Sequence, residues 1–76
     1  MNTTTLDLKG LLCPLPIVKI AQAIKKVRVG DVIEAVATDP GVLADIPAWT
    51  RSTGNELVAM EKVEGKLIRF VVKRAK

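Results

Sequence analysis

The chain has 76 residues and a formal net charge of +4, with 49% hydrophobic and 26% charged residues. A chain of this length and composition folds as one domain spanning residues 1–76, and its core is too small to enclose a large active-site cavity. Charged residues interrupt every apolar stretch before the roughly 18 residues that a membrane-spanning helix needs, and residues 1–5 lack the features of a signal peptide. We therefore expect a cytoplasmic protein that does not associate with membranes.

Positive charge is concentrated in residues 1–30 and 61–76, whereas residues 31–60 are acidic. A basic surface of this kind attracts nucleic acid or an acidic protein, although a moderate lysine excess often serves only to keep a small domain soluble. The charge pattern alone leaves both interpretations open.

Polar and apolar residues alternate over Thr4–Lys9, which predicts a first strand with Leu6 and Leu8 facing inward. From Leu15 to about Val27 the period becomes helical. The predicted buried face holds Ile17, Ile20, Ala21, Ile24 and Val27, and the opposite face holds Lys19, Gln22 and Lys26.

The run Val32–Thr38 is apolar except for Glu34, which is typical of an interior strand. A turn at 39–41 leads into a second helical segment at about Val42–Thr53. Its apolar face is predicted to hold Leu43, Ile46, Trp49 and Thr53. Because Pro47 disrupts a helix interior, the sequence favours a main helix that begins with Asp45 as N-cap.

Two further strands are predicted at Glu56–Val63 and Lys66–Lys73, joined by a hairpin turn at 64–65. In the last strand the alternation predicts Ile68, Phe70 and Val72 toward the core, with Arg69 and Lys73 facing out.

The predicted order is βαβαββ. Right-handed crossovers make the first two strands parallel and place both helices on one face of the sheet. Since parallel strands end at the same sheet edge, the loop that holds Cys13 is expected beside the loop that holds Asp39, where ligand sites of open α/β sheets usually lie.

Cys13 is the only cysteine and the chain has no histidine, so the sequence offers no internal disulfide, no metal site and no histidine base. Pro14 and Pro16 are predicted at about the first and third helical positions, which places Cys13 near the N-cap. There the helix dipole lowers a thiol pKa, whereas a nearby Asp39 opposes thiolate formation. The alternative is that Cys13 is buried as a small hydrophobic residue.

The segment 8–16, Leu-Lys-Gly-Leu-Leu-Cys-Pro-Leu-Pro, followed by an amphipathic helix, 45–47 (Asp-Ile-Pro) and 54–57 (Gly-Asn-Glu-Leu), resembles the TusA/SirA family of small sulfur-carrier proteins. The similarity covers nearly the whole chain. It implies an α+β (α/β two-layer) sandwich with a mixed four-stranded sheet of order 1-2-4-3, whose last strand is antiparallel to the others. Some relatives carry a second cysteine in a stretch that matches residues 49–51, where this chain has Thr50.

The resemblance also implies that Cys13 accepts sulfane sulfur as a persulfide from a cysteine desulfurase or a rhodanese-like donor. It would then pass the sulfur to a partner's reactive cysteine, in tRNA thiolation, cofactor synthesis or sulfur oxidation. Such a protein acts with its partners rather than as a stand-alone enzyme. We expect no cofactor and a monomer.

The roles of several other residues have two possible interpretations. Gly10 either permits a close approach of the chain to the sulfur site or serves an ordinary turn, and Trp49 either packs in the core or docks a partner. Lys19 and Lys26 are candidates for docking an acidic partner, with the loop from Asp39 to Asp45 next.

The alternative function is an RNA-binding or regulatory module. It would need stacking aromatics, and the chain has only Trp49 and Phe70, both patterned as core. We therefore do not expect direct nucleic-acid binding.

Overall fold

The computed structural model describes residues 2–76, so the part of the N-terminal prediction that concerns Met1 lies outside the described residues. The elements are β1 (Thr3–Leu8), α1 (Leu15–Ile24), β2 (Val32–Ala37), α2 (Val42–Thr53), β3 (Glu56–Lys62) and β4 (Ile68–Lys73). The predicted order βαβαββ is confirmed. Within residues 2–76, neither helix is long and apolar enough to cross a bilayer.

The four strands form one sheet in the order β1-β2-β4-β3. β1 and β2 are parallel, and β4 is antiparallel to both of its neighbours, β2 and β3. The strand order and directions implied by the family resemblance are therefore confirmed. Both helices cover the same face of the sheet and make a two-layer α+β sandwich, which leaves the carboxyl ends of β1 and β2 together at one edge.

The core lies between the two helices and the central strands. β2 contributes Ile33, Ala35 and Ala37, all fully buried, and the predicted core residues of β4 are confirmed as Ile68, Phe70 and Val72. Phe70 pairs with Ala35 across the β2–β4 ladder. A small side chain beside the only phenylalanine leaves room for the ring under the helices, because interiors pack to nearly constant density.

The helix α1 ends earlier than the periodicity suggests. It stops at Ile24, and the chain continues as a turn in which the Lys26 amide donates to the Ala23 carbonyl at 3.0 Å. Of the predicted apolar face, Ile20 and Ile24 are buried, and Ile17 and Val27 pack on the core. The prediction for Ala21 is wrong, because Ala23 packs there instead. The prediction that Lys26 lies on the helix is wrong. Its amide bonds to the carbonyl three residues earlier, rather than four as in an α-helix, and this tighter bond ends the helix.

The helix α2 begins at Val42 with Gly41 as N-cap, so the prediction that its main part starts at Asp45 is wrong. Pro47 lies inside the helix. The fully buried stripe is Val42, Ile46 and Thr50, with Leu43 and Trp49 packed on its flanks, whereas Thr53 is exposed. The prediction that Thr53 lies on the buried face is wrong, because α2 is rotated so that Thr50 takes that place. The Thr50 hydroxyl donates to the Pro47 carbonyl at 2.9 Å, so this polar group is satisfied inside the core.

The edge strand β3 carries a bulge that the sequence pattern does not predict. Leu57 pairs with Val72 and Ala59 pairs with Val71, so Val58 is an extra residue in the ladder. The insertion changes the alternation, and Leu57 and Met60, three residues apart, both pack on the core. Without it, Met60 would lie on the opposite face from Leu57.

Candidate functional site

The site begins at a tight turn after β1. Gly10 has a φ of +81°, and the Leu11 amide donates to the Leu8 carbonyl at 3.2 Å. A side chain at Gly10 would meet no atom within 4 Å, so the positive φ rather than crowding favours glycine there. The Gly10 amide donates to Thr38 Oγ1 at 2.9 Å and ties this turn to the end of β2.

Cys13 lies in the loop between β1 and α1 and is exposed, so the alternative of a buried structural cysteine is wrong. Its backbone amide donates to Asp39 Oδ2 at 2.7 Å across 26 residues of sequence. The expected meeting of the two loops at one sheet edge is therefore confirmed. The Asp39 carboxylate fixes the backbone that presents the sulfur.

The thiol itself contacts the second carboxylate. Cys13 Sγ donates to Asp45 Oδ2 at 2.9 Å, and Asp45 lies in the first turn of α2. This hydrogen bond raises the pKa of the Cys13 thiol, with smaller contributions from desolvation and from the negative charges of Asp45 and Asp39. The expectation of a lowered thiol pKa is wrong, because the hydrogen bond to Asp45 favours the protonated thiol.

The prolines place Cys13 farther from α1 than the sequence suggested. The Cys13–Pro14 peptide bond is cis, Pro14 is the N-cap with φ −96° and ψ 13°, and Leu15 is the first helical residue. Pro16 is the second helical residue and is buried. Each proline is therefore one position earlier than predicted. Cys13 precedes the N-cap, and its sulfur is hydrogen-bonded to a residue of α2.

Gly41 makes room for both carboxylates. Its amide donates to Asp39 Oδ1 at 3.1 Å, and a Cβ added there would lie 3.3 Å from Asp39 Oδ2 and 3.6 Å from Asp45 Oδ2. The sequence pattern at 39–41 predicts only a turn. Its position between two aspartates at a helix start was the available signal.

The remaining candidates lie away from the thiol. Lys19 and Lys26 are exposed, and neither forms a salt bridge within the described residues. Trp49 packs against the core and Phe70 is fully buried, so neither aromatic is presented as a platform for stacking bases. Thr50, which lies in the stretch where some relatives carry a second cysteine, is only 4% exposed.

Over residues 2–76, no group of three side chains is placed to bind a metal ion. The arrangement therefore offers one exposed sulfur nucleophile, anchored through its backbone by Asp39 and hydrogen-bonded through its thiol to Asp45. It is suited to transfer between sulfur atoms, which needs an accessible thiol and a partner's leaving group.

The family model for "Sulfurtransferase TusA" matches residues 4–74. The chain belongs to the TusA family. It is 40% identical over 70 residues to the sulfur carrier protein TusA of Allochromatium vinosum, covering 92% of this chain and 91% of that protein. It is 43% identical over 70 residues to a candidate sulfur carrier protein of Archaeoglobus fulgidus, with the same coverage.

Other TusA relatives are longer. The chain is 44% identical to a candidate sulfur carrier of Aquifex aeolicus and to YrkF of Bacillus subtilis, matching 91% and 95% of this chain but only 35% and 38% of those proteins. It thus spans little more than a third of their length. The crystal structure of a SirA-like protein from Desulfitobacterium hafniense superposes with a TM-score of 0.81 over 100% of both chains at 16% identity, which shows the shared fold.

Proposed function

We propose that this TusA-family protein carries sulfane sulfur as a persulfide on Cys13. The observation that carries the proposal is the exposed Cys13 thiol held between Asp39 and Asp45. Relatives named as sulfur carriers support it. The donor is a cysteine desulfurase or a rhodanese-like protein, and the acceptor is a protein with a reactive cysteine.

In the loading step, the sulfur of Cys13 attacks the outer sulfur of the donor's persulfide. An S–S bond forms at Cys13 while the donor's S–S bond breaks, and the donor cysteine leaves as a thiolate. The proton lost by the Cys13 thiol ends on that thiolate, so no external oxidant or reductant is needed. Asp45 Oδ2, at 2.9 Å, is placed to accept the proton in passing.

In the unloading step, the acceptor's thiolate attacks the outer sulfur of the Cys13 persulfide. The S–S bond at Cys13 breaks, the sulfur moves to the acceptor, and Cys13 leaves as a thiolate that takes up a proton. Asp45 then accepts a hydrogen bond from the restored thiol, so the free carrier returns to its uncharged form.

Sulfur loading gives the first prediction. Incubation with a cysteine desulfurase and cysteine is expected to add the mass of one sulfur atom to the intact protein, and a reductant is expected to remove it. Cys13→Ser should gain no mass, because no other thiol exists in the chain. Equal gain by Cys13→Ser, or no gain by the native chain with desulfurase and rhodanese donors, would contradict persulfide carriage.

Docking through Lys19 and Lys26 gives the second prediction. Charge reversal at either exposed lysine is expected to slow sulfur transfer to or from an acidic partner, and the loss should be larger at low salt because screening is weakest there. Stability should change by no more than about 0.5 kcal/mol. If neither charge reversal changes the transfer rate at low salt, the partner docks elsewhere, and the Asp39–Asp45 loop is the next candidate.

A further inference from the structure

An open groove of about 510 Å³ lies next to the thiol site. It runs between the loop that precedes α1, the start of α2 and the β3–β4 hairpin. The apolar lining comprises Leu12, Pro40, Leu43 and Ile68, and the hairpin contributes Lys62, Gly65 and Lys66.

The groove shares its wall with the sulfur site. Leu12 directly precedes Cys13 and is 71% exposed, an unusual position for a large apolar side chain beside a reactive group. Asp39, which also lines the groove, accepts the hydrogen bond from the Cys13 amide. A peptide segment seated in the groove would therefore lie beside the sulfur.

The side chains that line the groove carry a net positive charge, with two lysines against one aspartate. Lys62 and Lys66 are exposed, and neither makes a salt bridge in the described part of the chain. Asp39, the one acidic group of the lining, already accepts hydrogen bonds from two backbone amides, of Cys13 and Gly41. A carboxylate entering the groove would meet two available ammonium groups, whereas a cationic segment would meet like charge.

We propose that the groove binds an extended segment of the partner protein that carries an apolar side chain and a carboxylate beside its reactive cysteine. The apolar side chain covers Leu12 and Leu43, and the carboxylate pairs with Lys62 and Lys66. The inference rests on the proposed function for the identity of the partner, but the groove's preference is measurable without sulfur transfer.

The test uses short blocked peptides with one cysteine activated as a pyridyl disulfide. Cys13 attacks the peptide sulfur, a protein–peptide disulfide forms, and the pyridine thiol is released, which absorbance follows. One peptide places leucine and glutamate next to the cysteine, a second replaces glutamate with lysine, and a third replaces leucine with serine. At low salt we expect the first to react about threefold to tenfold faster than either of the others.

The double variant Lys62→Glu, Lys66→Glu should reverse the preference between the glutamate and lysine peptides. The neutral variant Lys62→Gln, Lys66→Gln should remove it. Lys25→Glu is the matched control, because Lys25 is exposed at the end of α1 away from Cys13. Rates with iodoacetamide, which is uncharged, normalise each variant for intrinsic thiol reactivity.

Equal rates for the three peptides, or the same loss of preference in Lys25→Glu, would overturn the groove proposal. Persulfide loading by a desulfurase is scored separately on the same proteins. A chain that loads sulfur but shows no peptide preference would retain the proposed function and lose the groove. A chain that shows the peptide preference but never loads sulfur would retain the groove and lose the proposed function.

Discussion

Asp45→Asn is expected to lower the pKa of the Cys13 thiol and to speed its alkylation near neutral pH. In the native chain the Asp45 carboxylate accepts the S–H hydrogen bond at 2.9 Å and repels a thiolate, so it raises the thiol pKa above that of free cysteine. Asparagine keeps the size and removes the charge. Each unit of lowered pKa raises the thiolate fraction about tenfold but weakens the nucleophile, so the rate gains roughly threefold to fourfold per unit.

The measurement is the alkylation rate against pH, whose midpoint in the native chain should lie above the ordinary value of a cysteine thiol. Asp39→Asn should shift the midpoint down by less, because Asp39 bonds the Cys13 amide and acts on the sulfur only through its charge. Asp31→Asn is the control. It removes a carboxylate that accepts hydrogen bonds from the Asn2 and Arg28 amides, and it should leave the midpoint of Cys13 alkylation unchanged. A native midpoint below that of free cysteine would show that the helix dipole dominates.

Phe70→Ala is expected to cost about 3–5 kcal/mol of unfolding free energy, the usual range for emptying a buried aromatic site. Phe70 is fully buried in β4, where it pairs with Ala35 and Met60, and the residues around an emptied core site relax into it only partly. A domain of this length has only about 4–11 kcal/mol in total, so the variant should be close to unfolded. Urea unfolding followed by circular dichroism measures the loss.

Phe70→Leu should cost less than alanine because it leaves a smaller cavity, and this milder variant keeps the prediction measurable if alanine prevents folding. Val29→Ala is the matched control, since Val29 is apolar but 61% exposed, and it should shift stability by no more than about 0.5 kcal/mol. Similar losses for Phe70→Leu and Val29→Ala would mean that β4 does not anchor the core.

The element order and the buried strands were predictable because their signals are local. The apolar run of β2 and the alternation in β4 indicate directly which residues are buried. The parallel pairing of β1 and β2 follows from the crossover that connects them. The α2 face was not predictable in detail. A spacing of three or four residues fits both Thr50 and Thr53, and which of them is buried depends on how α2 is rotated against the sheet.

The site was predictable in position but not in electrostatics. The sequence placed the Cys13 and Asp39 loops at one edge, and their hydrogen bond confirms it. The partner of the sulfur is 32 residues away on the next helix, and which side chain reaches it depends on how α2 is rotated. The position of Cys13 just before α1 is predictable from the sequence, whereas the hydrogen bond from its thiol to Asp45 is not.

The bulge at Val58 also bears on how copies of the chain behave when they meet. An outer strand with a regular row of free amides and carbonyls is a template onto which another molecule can add its own strand, and repeated addition leads to fibres. In β3 the extra residue breaks that row near its middle, and Glu56, Glu61 and Lys62 place charge at both ends. This outer strand therefore resists intermolecular sheet growth, so the chain can leave its Cys13 thiol exposed without also favouring polymerisation along β3.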